Sequence, residues 1–225
     1  MIGYLFKTRW IKITTAALLA ASIITGNIDL ISPAEASKSP KLFGTSEIRS
    51  KKLTKFKKWT GVLDRYAVEV KDELNKCTLT PTNKCLVTKW RIFLKKIANK
   101  PKREQLELVN SYLNKWLYVI DPINYQQKDY WATPKQFVNR NGDCEDYAIA
   151  KYASLKHLGF DLDQMRIVVL NDLNLKVAHA VLVVYFEGSP LILDNQISNV
   201  IHADRIKHYQ PIFSINEKSW WLHRG

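Results

Sequence analysis

Apolar positions recur with a helical period along the first part of this chain and give way, just beyond its middle, to β-branched and aromatic runs. Over Ser46 to about Lys71, over Val87 to Ala98, and through Leu106, Val109, Leu113, Trp116 and Leu117, apolar residues recur every three or four positions, the spacing that gathers them on one face of a helix. Three helices are therefore expected, the last ended by Asp121-Pro122. Ile123 to Ala132 is polar and aromatic with no clear period. Thr133-Pro134-Lys135-Gln136 then reads as a capping box with proline at the first helical position, opening a short helix that Asn141-Gly142 stops. Another helix begins at Cys144 and ends at Gly159. From there β-branched and aromatic runs dominate, at Arg166 to Leu170, Val177 to Phe186, Leu191 to Leu193 and Ile212 to Ile215, and predict an antiparallel sheet. Helices first and strands afterwards, with no internal repeat, imply one α+β domain.

The N-terminus stands outside this pattern. Lys7, Arg9 and Lys12 precede an apolar stretch from Ile13 to Ile24, and Ala34-Glu35-Ala36 follows, which is the order of a secretory signal over residues 1–36. An uncleaved anchor is the alternative. The stretch is short for a membrane span and no other segment approaches one, so the mature chain, 37–225, is expected to be exported and not membrane-spanning. Export makes disulfides available. Cys77 and Cys85 flank Thr78 to Lys84, a loop in the pattern, and pairing them would contribute roughly 2–3 kcal/mol on the chain-entropy account. Two free thiols are the other reading. Either way Cys144 is left over, and an odd thiol in an exported protein asks for an explanation.

Net charge is +13 over 225 residues, and losing the signal removes only three basic and two acidic residues. Such a balance suits an acidic protein partner, an anionic surface or nucleic acid. Export and the lack of regular aromatic–basic interleaving argue against nucleic acid. Lys51, Lys52, Lys55, Lys57 and Lys58 are expected on one basic face of the first helix, where a plain solvated surface is an equal reading.

The candidate chemistry centres on Gly142-Asp143-Cys144-Glu145-Asp146. With Asp143 as N-cap and Cys144 as the first helical residue, the sulfur sits in the positive field of unpaired helix amides, which favours thiolate. Three neighbouring carboxylates push the other way. That arrangement makes sense if a hard dication such as calcium, bound through oxygen ligands, neutralises them; acids that merely cap the helix are the alternative.

His179 lies in an otherwise apolar strand and Asp194 ends another, in Leu191-Ile192-Leu193-Asp194-Asn195. Singly, each reads as an ordinary core or turn residue; with Cys144 they supply nucleophile, base and orienting acid. A four-residue turn at Glu187 to Pro190 would pair Asp194 with Val183, placing His179 and Asp194 on one face but four residues apart, roughly 13 Å. A triad then needs a bulge, a shifted register or a longer loop.

Tyr130-Trp131-Ala132-Thr133-Pro134, the run Gly142 to Tyr152, Ala178-His179-Ala180-Val181-Leu182 and Leu193-Asp194-Asn195 together resemble the bacterial transglutaminase-like cysteine proteinases, specifically the periplasmic LapG type. The resemblance runs over most of residues 43–222 and departs from the family pattern at Cys77 and Cys85. It implies a papain-like, transglutaminase-type fold, a catalytic triad at Cys144, His179 and Asp194, and calcium (Ca2+) held by Asp143, Glu145 and Asp146, with Asn124 and Asp129 as further candidates. Three consecutive-turn acids cannot all face one ion, so some would act through backbone, water or an outer shell. It further implies a large surface adhesin (LapA-like) as substrate, cut near its N-terminus to release it and disperse biofilm, and an inner-membrane cyclic di-GMP receptor of LapD type as regulator, in the periplasm of a Gram-negative bacterium.

Other classes fit the same residues. A transglutaminase would pass the same acyl-enzyme to an amine, a broad thiol peptidase would cut many unfolded chains, and a calcium-gated binding module would keep Cys144 as a structural residue. Trp131 is close enough in sequence to line the site, although apolar packing accounts for it better. His157 suits the C-terminal end of its helix, and His202, His208 and His223 read as surface or structural.

Overall fold

The structure is a computed structural model that describes residues 41–72, 77, 78, 80 and 84–225; the expected signal segment lies outside them. Among the described residues there are six α-helices and seven strands. The helices are α1 (Lys57–Asp72), α2 (Leu86–Ile97), α3 (Lys102–Leu113), the single turn α4 (Asp121–Asn124), α5 (Pro134–Arg140) and α6 (Cys144–His157). The strands are β1 (Ser46–Ser50), β2 (Met165–Asp172), β3 (Val177–Phe186), β4 (Ser189–Leu193), β5 (Ile201–His202), β6 (Tyr209–Ile215) and β7 (Trp220–Arg224). All seven strands join one sheet, ordered β1-β7-β6-β2-β3-β4-β5, with every pairing antiparallel.

Helix α6 sits at the centre. Every residue from Asp146 to Leu155 is buried, because α3, α5 and the sheet surround it. One core joins α1–α3, α5 and α6 to the sheet through Trp59, Trp90, Leu94, Leu106, Phe137, Ile149 and Leu182. A second core covers the opposite face with Leu42, Leu170, Val181, Val183, Ile192, Ile206 and Tyr209. Covered on both sides, β3 is buried from His179 to Tyr185, so its sequence reads as a continuous apolar run instead of alternating.

The expected first helix is shorter than its pattern. Ser46–Ser50 is an edge strand paired with β7, and Leu53–Lys55 is a 3-10 turn, so helix starts only at Lys57. Tertiary pairing overrides a weak local preference here: Glu47 on β1 meets the buried Arg166 at 2.7 Å. Of the five lysines expected on one helical face, only Lys57 and Lys58 lie on α1. The third helix also stops early, at Leu113, with Leu117 exposed, and Asp121-Pro122 opens the turn α4 instead of ending α3. Strands β1, β5 and β7 had no recognised pattern. The capping box at Thr133 and Gln136 is present, and Asn141 stops α5 at φ 67°. Cys77 and Cys85 form a disulfide. No helix among the described residues is long and apolar enough to cross a membrane.

The β3–β4 hairpin is tighter than expected. Phe186 pairs with Ser189, leaving a two-residue turn of Glu187 (φ 49°) and Gly188 (φ 77°), the left-handed pair whose twist matches antiparallel strands. Leu193 consequently lies opposite Leu182. The next residue, Asp194, falls level with Val181, two positions from His179 instead of four, and the shared face is kept.

Candidate active site

Cys144 opens α6 at the floor of a 650 Å³ cleft whose walls include Trp59, Tyr118, Asp121, Trp131, Ala178 and His179. On the far wall, His179 Nε2 lies 3.0 Å from Asp194 Oδ1, both residues being buried. The register shift just described supplies this contact. Asp194 is held firmly: Oδ1 also accepts from the Gln196 amide at 2.9 Å, Oδ2 accepts from the Tyr209 hydroxyl at 2.5 Å, and its carbonyl accepts from Asn114 Nδ2 at 2.8 Å. Burial alone would raise its pKa, but the His179 hydrogen bond and charge, with the other donors, outweigh burial and lower it. With Nε2 engaged, Nδ1 is the ring nitrogen left for exchange with the thiol.

Tyr209 was not anticipated from sequence. Register shifts at Val169/Leu170, where Ile212 is the extra residue of β6, and Tyr209 pairs with Asp172. A one-residue slip reverses every side chain beyond it, so this bulge turns Tyr209 toward the face that carries His179 and Asp194.

The acidic residues beside the cysteine separate into different environments. The Cys144 thiol donates to Glu145 Oε2 at 3.2 Å. Burial first, then the charges of Glu145 and Asp143, hold the thiol well above its ordinary pKa. Asp143 is pushed up to about 8 by burial and by Glu145. Asp146 is fully buried, and its carboxylate accepts from the Ala132 amide at 2.7 Å and, weakly, from the Asp143 amide at 3.4 Å. A Cβ on Gly142 would stand 2.2 Å from Asp146 Oδ2, which explains the glycine.

A fourth acid joins them from α4. Oxygens of Asp121, Asp143 and Asp146, and of Asp121, Asp129 and Glu145, form sets whose members lie within 4.8 Å of one another. Asp121 Oδ2 accepts from the Tyr130 amide at 2.5 Å, while Asp121 Oδ1 and Asp143 Oδ1 are buried without a hydrogen-bond partner. Partnerless carboxylate oxygens within an acidic cluster are a donor set that a hard cation such as calcium can take. Sequence reading took Asp121 only as a helix end; nothing local marks it, since the 22 residues that separate it from Asp143 are closed by the Asp121 amide reaching Asp143 Oδ2 and by Val119 bonding the Gly142 carbonyl at 2.9 Å. Asn124 gives its amide to the Asn141 carbonyl at 3.2 Å, and Asp129 pairs with Lys58.

Trp131 is 8% exposed, packs edge-on against Trp59 and still lines the cleft, so both readings of it apply. Lys55, Lys57, Lys58 and Lys128 also line the cleft. Among the remaining histidines, His223 is buried between Thr45 and Ser214 hydroxyls at 3.0 Å each, a structural placement.

The bacterial transglutaminase-like cysteine proteinase (BTLCP) model matches residues 75–223. LapG from Legionella pneumophila is 38% identical, with TM-score 0.58 over 64% of this chain and 81% of that one. Its calcium-bound form, also 38% identical, gives 0.60 over 69% and 87%, and its EGTA-treated form 0.59 over 66% and 81%. A comparison with curated proteins found no match. The matched segment includes the helix of Cys144 and the strands of His179 and Asp194, and its papain-like, transglutaminase-type α+β architecture is that of LapG: the chain belongs to the bacterial transglutaminase-like cysteine proteinase family.

Proposed function

We propose that this chain is a calcium-dependent cysteine endopeptidase of LapG type whose triad is Cys144, His179 and Asp194. The observation that carries the reading is the 3.0 Å His179–Asp194 contact in the same cleft as a lone helix-terminal thiol. His179 Nδ1 takes the thiol proton, the Cys144 sulfur attacks the scissile carbonyl, and the protonated imidazole gives its proton to the leaving amine. His179 then takes a proton from water as the water oxygen adds to the acyl carbon, and the Cys144 sulfur leaves with that proton returned to it by the imidazolium, freeing the acid. Asp194 keeps the ring oriented throughout, itself held by Tyr209 and Gln196. The Cys144 backbone amide, at the start of α6, is placed to donate to the oxyanion.

Asp121, Asp143 and Glu145 would hold the calcium ion, with Asp146 buttressing them from the interior. When bound, the ion supplies positive charge that offsets the acids now opposing thiolate formation at Cys144. Similarity to a protein solved in calcium-bound and EGTA-treated forms supports this choice.

The substrate in this reading is a large LapA-like surface adhesin cut near its N-terminus, so that cleavage releases the adhesin and disperses biofilm. Export to the periplasm agrees with the disulfide, and an inner-membrane cyclic di-GMP receptor of LapD type would be the regulator. The test is cleavage of a purified adhesin N-terminal fragment by residues 37–225, with calcium, with EGTA, and with Cys144→Ala. Loss of cutting in both latter arms is expected; cutting by Cys144→Ala would overturn the nucleophile, and cutting in EGTA the metal site.

A further inference from the structure

Lys55, Lys57, Lys58 and Lys128 line the cleft that holds Cys144 and His179, and all four are exposed where that cleft meets solvent. Three of them come from one short stretch, the end of the 3-10 turn Leu53–Lys55 and the first turn of α1, and neither turn contains an acid. The stretch is anchored to the sheet. The Phe56 ring lies 5.0 Å from that of Phe213 and 5.1 Å from that of Trp220, and Trp59 Nε1 donates to the Asn216 carbonyl at 3.0 Å. The backbone that carries these lysines is thereby held in place, and their long stems bring the ammonium groups out to water.

Lys58 is tied to Asp129. Lys55, Lys57 and Lys128 have no ion-pair partner among the described residues. The acids beside the thiol gather on one another, Asp143 with Glu145 and Asp121 with both, so they leave these three cations uncompensated. The rest of the lining that a substrate would meet includes Phe56, Trp59, Val169, Ala178 and Phe213. Such side chains bury carbon, and the indole N–H of Trp59, the donor among them, is spent on Asn216. Recognition of a polar substrate side chain on this part of the cleft therefore falls to the lysines, and the group that complements an ammonium is a carboxylate.

We propose that Lys55, Lys57 and Lys128 are specificity-determining residues that bind aspartate or glutamate side chains flanking the scissile bond of an extended substrate segment. This rests on the protease reading above and names the chemistry of its substrate. Exposed pairs are individually weak, each worth about 1.5- to 5-fold in binding, so selection comes from several acting together and falls with salt. The lysines act on capture of the chain and not on the bond-breaking step, which places their effect in KM.

The test uses adhesin N-terminal fragments that carry aspartate, asparagine or lysine at the third and fourth residues on each side of the mapped cut, with residues 37–225 as enzyme. In about 50 mM salt the aspartate fragment should be cut with kcat/KM about 10-fold above the asparagine fragment, mostly through KM, and the lysine fragment should be the poorest; about 500 mM salt should compress the series. The triple variant Lys55→Gln/Lys57→Gln/Lys128→Gln should treat aspartate and asparagine alike, and Lys55→Glu/Lys57→Glu/Lys128→Glu should prefer lysine. Equal cutting by the parent, or a preference that survives in the triple Gln variant, overturns the proposal. Fluorescence anisotropy of the same fragments, labelled and bound to Cys144→Ala, reads recognition without chemistry: tighter binding of the aspartate fragment supports the proposal and equal binding overturns it. If the parent cuts no fragment, the protease reading fails, and the anisotropy series still decides whether these lysines select carboxylates.

Discussion

Tyr209 donates its hydroxyl hydrogen to Asp194 Oδ2 at 2.5 Å, on the oxygen that His179 does not use. The carboxylate is thus fixed from both sides, by β3 through histidine and by β6 through tyrosine. Tyr209→Phe removes the second tie without changing the packed ring. In the proposed mechanism this should lower kcat about 10-fold with KM nearly unchanged, and cost about 1 kcal/mol of stability. Steady-state kinetics on the adhesin fragment checks it; an unchanged kcat would show that Asp194 needs no anchor.

Gly142 is the tightest backbone position at the site. The Asp146 carboxylate it faces is fully buried and tied to the Ala132 amide, so it has nowhere to move. Gly142→Ala should lower the melting temperature by about 5 °C or more, read by circular dichroism. A variant that melts like the parent would mean that Asp146 can yield.

Asp121 joins the acidic cluster from a separate turn, and its Oδ1, like that of Asp143, is buried without a hydrogen-bond partner. Asp121→Asn is expected to weaken calcium binding at least ~10-fold in calorimetry and to shrink the rise in melting temperature that calcium produces. Asp129→Asn, at an exposed position paired with Lys58, should do less. Equal effects would place the ion on the outer side of the cleft.

His223 gives the fold an acid-sensitive point away from the cleft. Burial, with Arg166 adding to it and Glu47 opposing, lowers its pKa below the ordinary 6.5. The unfolded chain therefore binds a proton on acidification that the folded chain resists, so stability is present above pH 6.5 and is lost as pH falls toward the folded value. Melting temperatures measured from pH 7.5 to 5 should decline, and His223→Gln should flatten that decline. A variant with the parent's slope would assign the loss to other groups.

Short-range signals carried much of the architecture. The Thr133 capping box, the stop at Asn141-Gly142 and the placement of Cys144 as first residue of a helix all hold, because each depends on bonds between residues three or four apart. The apolar helical faces of α2 and α3 hold because periodicity is a local record of which side is buried, and the four β-branched runs because residue type itself favours the extended backbone. The first helix fails where Ser46–Ser50 is claimed by β7, 170 or more residues away in sequence, a pairing no local pattern announces.

By itself, the amino-acid order determined an α+β chain with helices ahead of strands, a thiol at a helix start among carboxylates, and the three residue types of a thiol mechanism. Distance was decided by the tertiary structure. The primed turn at Glu187-Gly188 moved Asp194 two residues closer to His179, the bulge in β6 turned Tyr209 to their face, and α4 delivered Asp121 to the acids of α6. Each depends on register or on packing between segments far apart in the chain. Side-chain direction along a strand reverses with a single residue, so a turn or bulge of one residue more or less separates a working site from three unrelated side chains.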